Sequence, residues 1–345
     1  MIALKPELFQ DLNGTVEGLR CALQNAIELE HSTIPPYLYA LYSIKPGTNS
    51  EIGGLIKSVV VEEMLHMAID CNILNAVGGT PKIDDPCFLP KYPGHLPGGV
   101  EGSLTVGLAP LSKQLLLETF MVIEEPEDPL HFPVLNFAAA GARPSTIGEF
   151  YDGIIKQVRD LGNEIFTGDA KKQLTTGFGP LRTMRVHDVT YAIAGIELIV
   201  RQGEGTKTSP LDPEHEAAHY YRFAEIYFGK KLIRNPEPGP GKPDFAYGGH
   251  TIAFDPCDVW PVITNPNTAS YTAGSAADKL NRAFNRTYTS LLKGLQLTFG
   301  GEPDRLGPAI TLMEAMADQA RVLMSTEIVP GQTAGPTFEY TPLNG

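Results

Sequence analysis

The stretch Ala26–Leu41, AIELEHSTIPPYLYAL, sets two patterns against each other. Apolar residues recur at helical spacing, yet two glutamates, a histidine and a Pro-Pro pair sit among them. A helix advances ~100° per residue, so angular positions follow from the numbering. With Glu30 at zero, Leu23, Ile27, Ile34, Tyr37 and Leu41 all fall within roughly 60° of it. Glu28 lies nearly opposite and His31 at the margin. Glu30 therefore occupies the centre of the face that ought to be buried. The two prolines remove backbone donors and can kink the helix, which leaves the register beyond Ile34 open.

Other segments repeat the anomaly. In VVVEEMLHMAIDCNIL (Val59–Leu74), His66 shares a face with Ile52, Leu55, Val59, Ile73 and Val77, and Glu62 and Glu63 flank that line. Glu63 and His66 form Glu-x-x-His, one helical turn apart, so both can reach a common ion. A second such pair, Glu216 and His219, lies in line with Phe223 and Ile226; His215 shares this face, so a His-x-x-x-His pair is an open alternative. Val186, Val189, Ile193, Ile196 and Val200 make another stripe, which includes Glu197 and Glu204.

One Glu-x-x-His means little, since on the order of half of chains this long carry one by chance. Glu28 and His31 form a third copy whose members do not share the buried face. The combination is informative: two pairs on apolar stripes of separate helices, and a stripe glutamate on each of two others. Each unpaired buried ion costs several kcal/mol, and converging carboxylates repel one another unless protonated or neutralised. Lys and Arg are absent from the matching stripe positions, so internal ion pairs are a poor remedy. Two divalent cations would balance four carboxylates and use two imidazoles, the ligand set of carboxylate-bridged dimetal bundles. Oxygen and nitrogen donors without cysteine suit iron or manganese rather than structural zinc. Taken singly, Glu62, Glu197 and His215 read as surface or helix-margin residues.

Around these segments the 345-residue chain is patterned mainly as helices, at about Val16–Tyr42, Glu51–Val77, Ser112–Glu125, from STIGEF, Val186–Gln202, Asp212–Gly229, Ser275–Phe299 and Asp304–Ser325. Thr146 and Glu149 make a capping box, as do Ser275 and Asp278. Asp212 reads as an N-cap with Pro213 at the first helical position. SLTVGL is a candidate short strand, and residues 230–267 read as loop material. The expected class is all-α, a four-helix bundle over 1–230 with long loops and a helical extension over 231–345 packed on it. The net charge of −13 argues against phosphate-backbone binding. No apolar run approaches the ~18 residues of a membrane span, and no secretory signal is visible, so a cytoplasmic protein with four reduced, mostly buried thiols is expected.

The segments AIELEHSTIPPYLYALYSI, EEMLHMAIDCNILNAVGGTP, QGEG and HYYRFAEI resemble the ferritin-like domain of the iminophenyl-pyruvate dimer synthase family, over about Leu19–Gly229. That family includes enzymes that couple oxidised aromatic amino acids. FDPCDVWPVITNP and AGPTFEY are similar to stand-alone bacterial members. The resemblance implies a ferritin-like bundle and favours Glu204 over Glu197 as a ligand. It also brings Glu124 forward, and it places Tyr37 where such proteins put a tyrosine near the metals. The expected metal ligands are thus Glu30, Glu63, His66, Glu204, Glu216 and His219, with Tyr37 as a catalytic neighbour. The expected function is a non-haem dimetal oxidoreductase, with two iron ions or manganese, acting with O2 or peroxide on a small, aromatic amino-acid-derived substrate. A homo-oligomer is compatible with this. The alternatives are ferroxidase or iron handling, against which the long loops and added helices stand, and a metal-free scaffold.

Overall fold

The computed structural model describes residues 4–99, 104–126, 146–178, 181–205, 209–211, 216–236, 238–239 and 244–343. A short helix α1 (Pro6–Gln10) leads into α2 (Val16–Tyr42) and α3 (Ser50–Ala76). Thr15 starts α2 by accepting the Gly18 N–H on its side chain, a cap worth ~1 kcal/mol. The helix then continues through Pro35 and Pro36. Each proline lacks the N–H that would bond the carbonyl four residues back. For Pro36 that carbonyl is Ser32, and the Tyr92 hydroxyl from a distant loop donates to it at 2.6 Å. Register is preserved, and Tyr37 stays fully buried on the Glu30 side.

From Glu62 to Val77 every residue of α3 and its cap except Met64 is buried, so this helix is surrounded rather than laid on a surface. An interrupted helix α4 covers residues 113–123 as an α turn (Lys113–Leu115), a π turn (Leu116–Phe120) and a closing α turn (Met121–Ile123). The expected helix over 112–125 is thus shorter and broken. Helix α5 (Ile147–Leu161) opens on the Thr146/Glu149 capping box. In α6 (Val189–Glu204) Asp188 caps the Tyr191 N–H, which leaves Val186 outside the helix.

The largest departure concerns α7 (His219–Phe228). Asp212, Pro213 and His215 lie outside the described residues, and Glu216 precedes the helix. Instead of a helical turn, the chain approaches through an isolated pairing of Leu211 with Ala217 and a hydrogen bond from Ala218 N to Pro210 O at 2.9 Å. Gly229, with φ 71°, ends α7 as expected.

Helices α8 (Ala276–Gly300) and α9 (Leu306–Met324) pair with each other, α9 packing on α2 and α8 on α3. Most of their apolar residues join a core that runs from Leu4 to Phe338, while Ala277 and Leu323 form a small separate cluster with Tyr271 and Ala334. Residues 230–267 are not all loop: β1 (Lys230–Arg234) and β2 (Phe245–Thr251) form an antiparallel ribbon with Leu232 opposite Tyr247. SLTVGL, by contrast, makes among its described residues only the isolated bridge of Val106 to Gly94. Of the four thiols only Cys71 is buried; Cys21, Cys87 and Cys257 are exposed, contrary to expectation. No helix among the described residues is long and apolar enough to cross a membrane.

Around the α2–α3 pair, α5 lies against α2, α6 and α7 lie against α3, and α4 flanks α7. Gly195 lets α6 approach α3: a Cβ there would stand 2.8 Å from Ile69. Gly205, at φ 83°, then turns the chain away from α6. The ends of α4 and α6 and the start of α7 consequently converge on the middle of α2 and α3.

Candidate metal centre

At that convergence Glu63 faces two imidazoles. His219 Nδ1 is 2.9 Å from Glu63 Oε1 and 3.5 Å from Glu124 Oε2. His66 Nδ1 is 3.7 Å from Glu63 Oε1 and 3.3 Å from Glu30 Oε2. Two groups result, Glu30–Glu63–His66 and Glu63–Glu124–His219, each with ligand atoms within 4.8 Å of one another. Glu63 belongs to both, and all five side chains are at most 9 % exposed.

Each imidazole is fixed from behind. His66 Nε2 lies 2.9 Å from Gln202 Oε1, so the ring donates there and leaves Nδ1 toward the carboxylates. His219 Nε2 lies 3.0 Å from Glu62 Oε2, and Arg222 Nη1 donates to the other Glu62 oxygen at 2.8 Å. Such partners on the far nitrogen are what holds a metal-ligating histidine in one tautomer. His219 Nδ1, although close to two carboxylates, is aligned with neither and has no hydrogen-bond partner. A buried nitrogen that approaches anions without bonding them suits a cation placed between them. The hard oxygen and imidazole donors fit iron or manganese.

The electrostatics carry the same strain. Burial, then the charges of Glu124 and Glu30, push the Glu63 carboxyl up to about 7. Burial opposes charge on His219, but the nearby Glu124, Glu62 and Glu63 carboxylates outweigh it and raise that imidazole well above its ordinary value. Burial likewise disfavours ionisation of Glu62, yet His219 and Arg222 bring it down to about 2. Glu62 is therefore a paired, positioning carboxylate, whereas Glu63 lacks sufficient compensation. The expectation that no basic residue shares these faces fails at Arg222, which is 1 % exposed and one turn after His219.

Tyr37 donates to Glu124 Oε1 at 2.5 Å, and Thr33 Oγ1 is 2.7 Å from Glu63 Oε2. The Tyr151 hydroxyl sits between Glu30 Oε1 and Asp70 Oδ2, the latter at 3.0 Å. One phenol proton cannot serve both. Burial, then the Glu30 charge, raises Asp70 well above its ordinary value, which disfavours its ionised form.

Four of the six expected ligands, Glu30, Glu63, His66 and His219, meet. Glu204 ends α6 and lines the pocket in front of the cluster without entering either group. Glu216 is 64 % exposed and 3.4 Å from Arg222 Nη2, because the helix meant to align it with His219 begins only at His219. Glu124 stands beside His219 in its place. Glu197 faces outward in a pair with Arg201. Gln202, Arg222, Asp70 and Tyr151 had not been singled out. Asp70 carried a usable signal, one turn after His66 on the same face; Tyr151 and Gln202, from distant helices, carried none.

The pocket before the cluster has carboxylates on one side and Leu29, Leu96, Ile123, Ile147 and Ile199 on the other. Leu96 comes from the segment between α3 and α4; among the described residues, none of 230–270 lines it. The β-ribbon instead braces α7, with Leu232 N and Lys231 Nζ donating to the buried Glu225 at 2.9 and 2.8 Å.

The sequence model of the ferritin-like family matches residues 23–228, and the chain belongs to that family. A crystal structure of a ferritin-like protein from Caulobacter vibrioides superposes with a TM-score of 0.60 at 24 % identity, covering 99 % of each chain. Dichlorochromopyrrolate synthase of Lentzea aerocolonigenes is 22 % identical over 92 % of this chain. The match covers 35 % of that enzyme, so the chain spans about a third of its relative's length.

Proposed function

We propose that the protein is a non-haem dimetal oxidoreductase, with iron as the metal, acting with O2 or peroxide on a small substrate derived from an aromatic amino acid. One observation carries this: a single buried carboxylate, Glu63, is shared by two imidazoles from different helices, each with its far nitrogen already committed. Glu30, Glu63 and His66 would hold one ion, and Glu63, Glu124 and His219 the other, with Glu204 within the same pocket. When bound, the metals supply the electron-transfer chemistry with O2 or peroxide. The protein's own groups orient and insulate. Tyr37 and Tyr151 fix the carboxylates of Glu124 and Glu30, while the apolar wall excludes water and offers contact to an aromatic ring. The likeness to dichlorochromopyrrolate synthase and to the iminophenyl-pyruvate dimer synthase family supports the substrate class.

Anaerobic Fe(II) addition to metal-free protein, with elemental analysis, is expected to give about two irons per chain. Oxygen or peroxide should then drive consumption of aromatic 2-oxo or 2-imino acids, followed by mass spectrometry. Less than about one metal per chain would defeat the reading; a shell holding many irons per chain would replace it with iron storage.

A further inference from the structure

A cavity of about 430 Å³ lies between the N-terminal part of α3, the helix α7 and β1, and it shares no lining residue with the metal pocket. Small-molecule sites span about 300–1,000 Å³. Leu55, Leu211 and Leu232 make one side of this cavity apolar.

The charges on its wall differ in how firmly they are held. Glu225 is fully buried and is met by Lys231 Nζ at 2.8 Å and the Leu232 N–H at 2.9 Å. Arg222, also buried, commits Nε to the Ala217 carbonyl and Nη1 to Ser58 and Glu62, at 3.0 and 2.8 Å. Its other terminal nitrogen, Nη2, lies 3.4 Å from Glu216 Oε2. Glu216 is 64 % exposed, so this last pair is screened by water and is worth less than about 1 kcal/mol. Glu62 is locked onto the guanidinium; Glu216 is exchangeable.

Exchange sets the charge of a ligand. A carboxylate that replaces Glu216 leaves the sum of charge at Arg222 as it was. A dianion would add negative charge near Glu225 and Glu62, where water screens it poorly. The leucines set the body, since they offer contact to an apolar group and no hydrogen bond. Gly54 is an independent sign of space kept open. Glycine inside a helix costs about 1 kcal/mol against alanine, yet packing does not require it here: a Cβ at Gly54, which lines the cavity, would meet nothing within 4 Å.

We propose that this cavity binds a small monocarboxylic acid with an apolar body. Its carboxylate takes the place of Glu216 on Arg222, and its body lies against Leu55, Leu211 and Leu232. The ligand is linked to the metal centre by two contacts, because Arg222 holds Glu62 and Glu62 holds His219 Nε2.

The test needs no turnover, and its failure would leave the dimetal reading intact. Full-length protein, metal-free and Fe(II)-loaded in parallel under anaerobic conditions, is titrated calorimetrically with phenylacetate, phenylacetamide and inorganic phosphate. Phenylacetate is expected to bind both forms alike, about tenfold or more tighter than its uncharged amide, and phosphate should not displace it. Two variants should act with opposite sign. Glu216→Gln removes the internal competitor and should tighten binding about two- to fivefold. Gly54→Leu, which packing tolerates, fills the cavity and should weaken binding about tenfold or more. No saturable binding up to the solubility limit, equal affinity for acid and amide, or displacement by phosphate would overturn the proposal. So would binding seen only with Fe(II), which would place the carboxylate on the metals, or binding that either variant leaves unaltered.

Discussion

On one side of the α2–α3 pair, Glu30, Glu63 and His66 meet Glu124 and His219; on the other, one residue further along each time, His31, Met64 and Met67 meet Leu292 and Met316. Neighbours in sequence serve opposite chambers because a helix turns ~100° between them. The front chamber gathers carboxylates, and burial with the charges of Glu124 and Glu30 disfavours ionisation of the central one, Glu63. The rear one is lined mainly by apolar side chains. A helix pair buried on both sides can thus carry charge chemistry and oil-like packing within a single turn, provided each polar group has its own support.

The sharpest way to break this contrast is Glu63→Ala. Because Glu63 serves both groups, it should abolish binding of both ions, whereas Glu30→Ala should spare the site at His219; elemental analysis after Fe(II) loading distinguishes them. Next in size is Arg222→Met, which leaves Glu62 buried without its cation and should destabilise the protein by about 3–5 kcal/mol, read from urea unfolding.

On the rear side, burial holds His31 down to about 3. The unfolded chain takes up this proton near 6.5, the folded chain only near 3, so between those values the unfolded state binds more protons. The His31 contribution is complete above pH 6.5 and declines as pH falls through that window. By pH 4.5 it should amount to about 2–3 kcal/mol lost, and His31→Leu should remove that slope from the urea midpoints. Gln202→Leu frees the far nitrogen of His66 and should weaken metal affinity about 10- to 100-fold in a competitive chelator titration. The smallest effect belongs to Glu216→Ala, which should leave metal stoichiometry unchanged and shift stability by less than about 1 kcal/mol.

Helix periodicity made Glu30, Glu63 and His66 legible because each sits mid-helix, where angular position is reliable. It failed at Glu216, because residues 216–218 precede the first turn of α7 and helical spacing across that boundary has no angular meaning. Glu124 stayed in the background because it lies at a helix end beyond a π turn, where the 3.6-residue count no longer applies. Arg222 was misjudged by treating buried charge as a deficit to be met by metal alone. Residue types on one helix are readable from its own pattern; what three helix ends bring to meet them is a product of packing. The β-ribbon was obscured by the Gly-Gly pair inside its second strand and by the Pro/Gly-rich stretch before it.

The bond from Tyr92 to the Ser32 carbonyl ties local mobility to the metal face. Pro36 leaves that carbonyl to be satisfied from outside the helix, and the loop that does so also delivers Leu96 to the pocket wall. Opening that wall tugs on the backbone two residues after Glu30. The two segments are expected to act as one cooperative unit, with amide exchange rising and falling in both together.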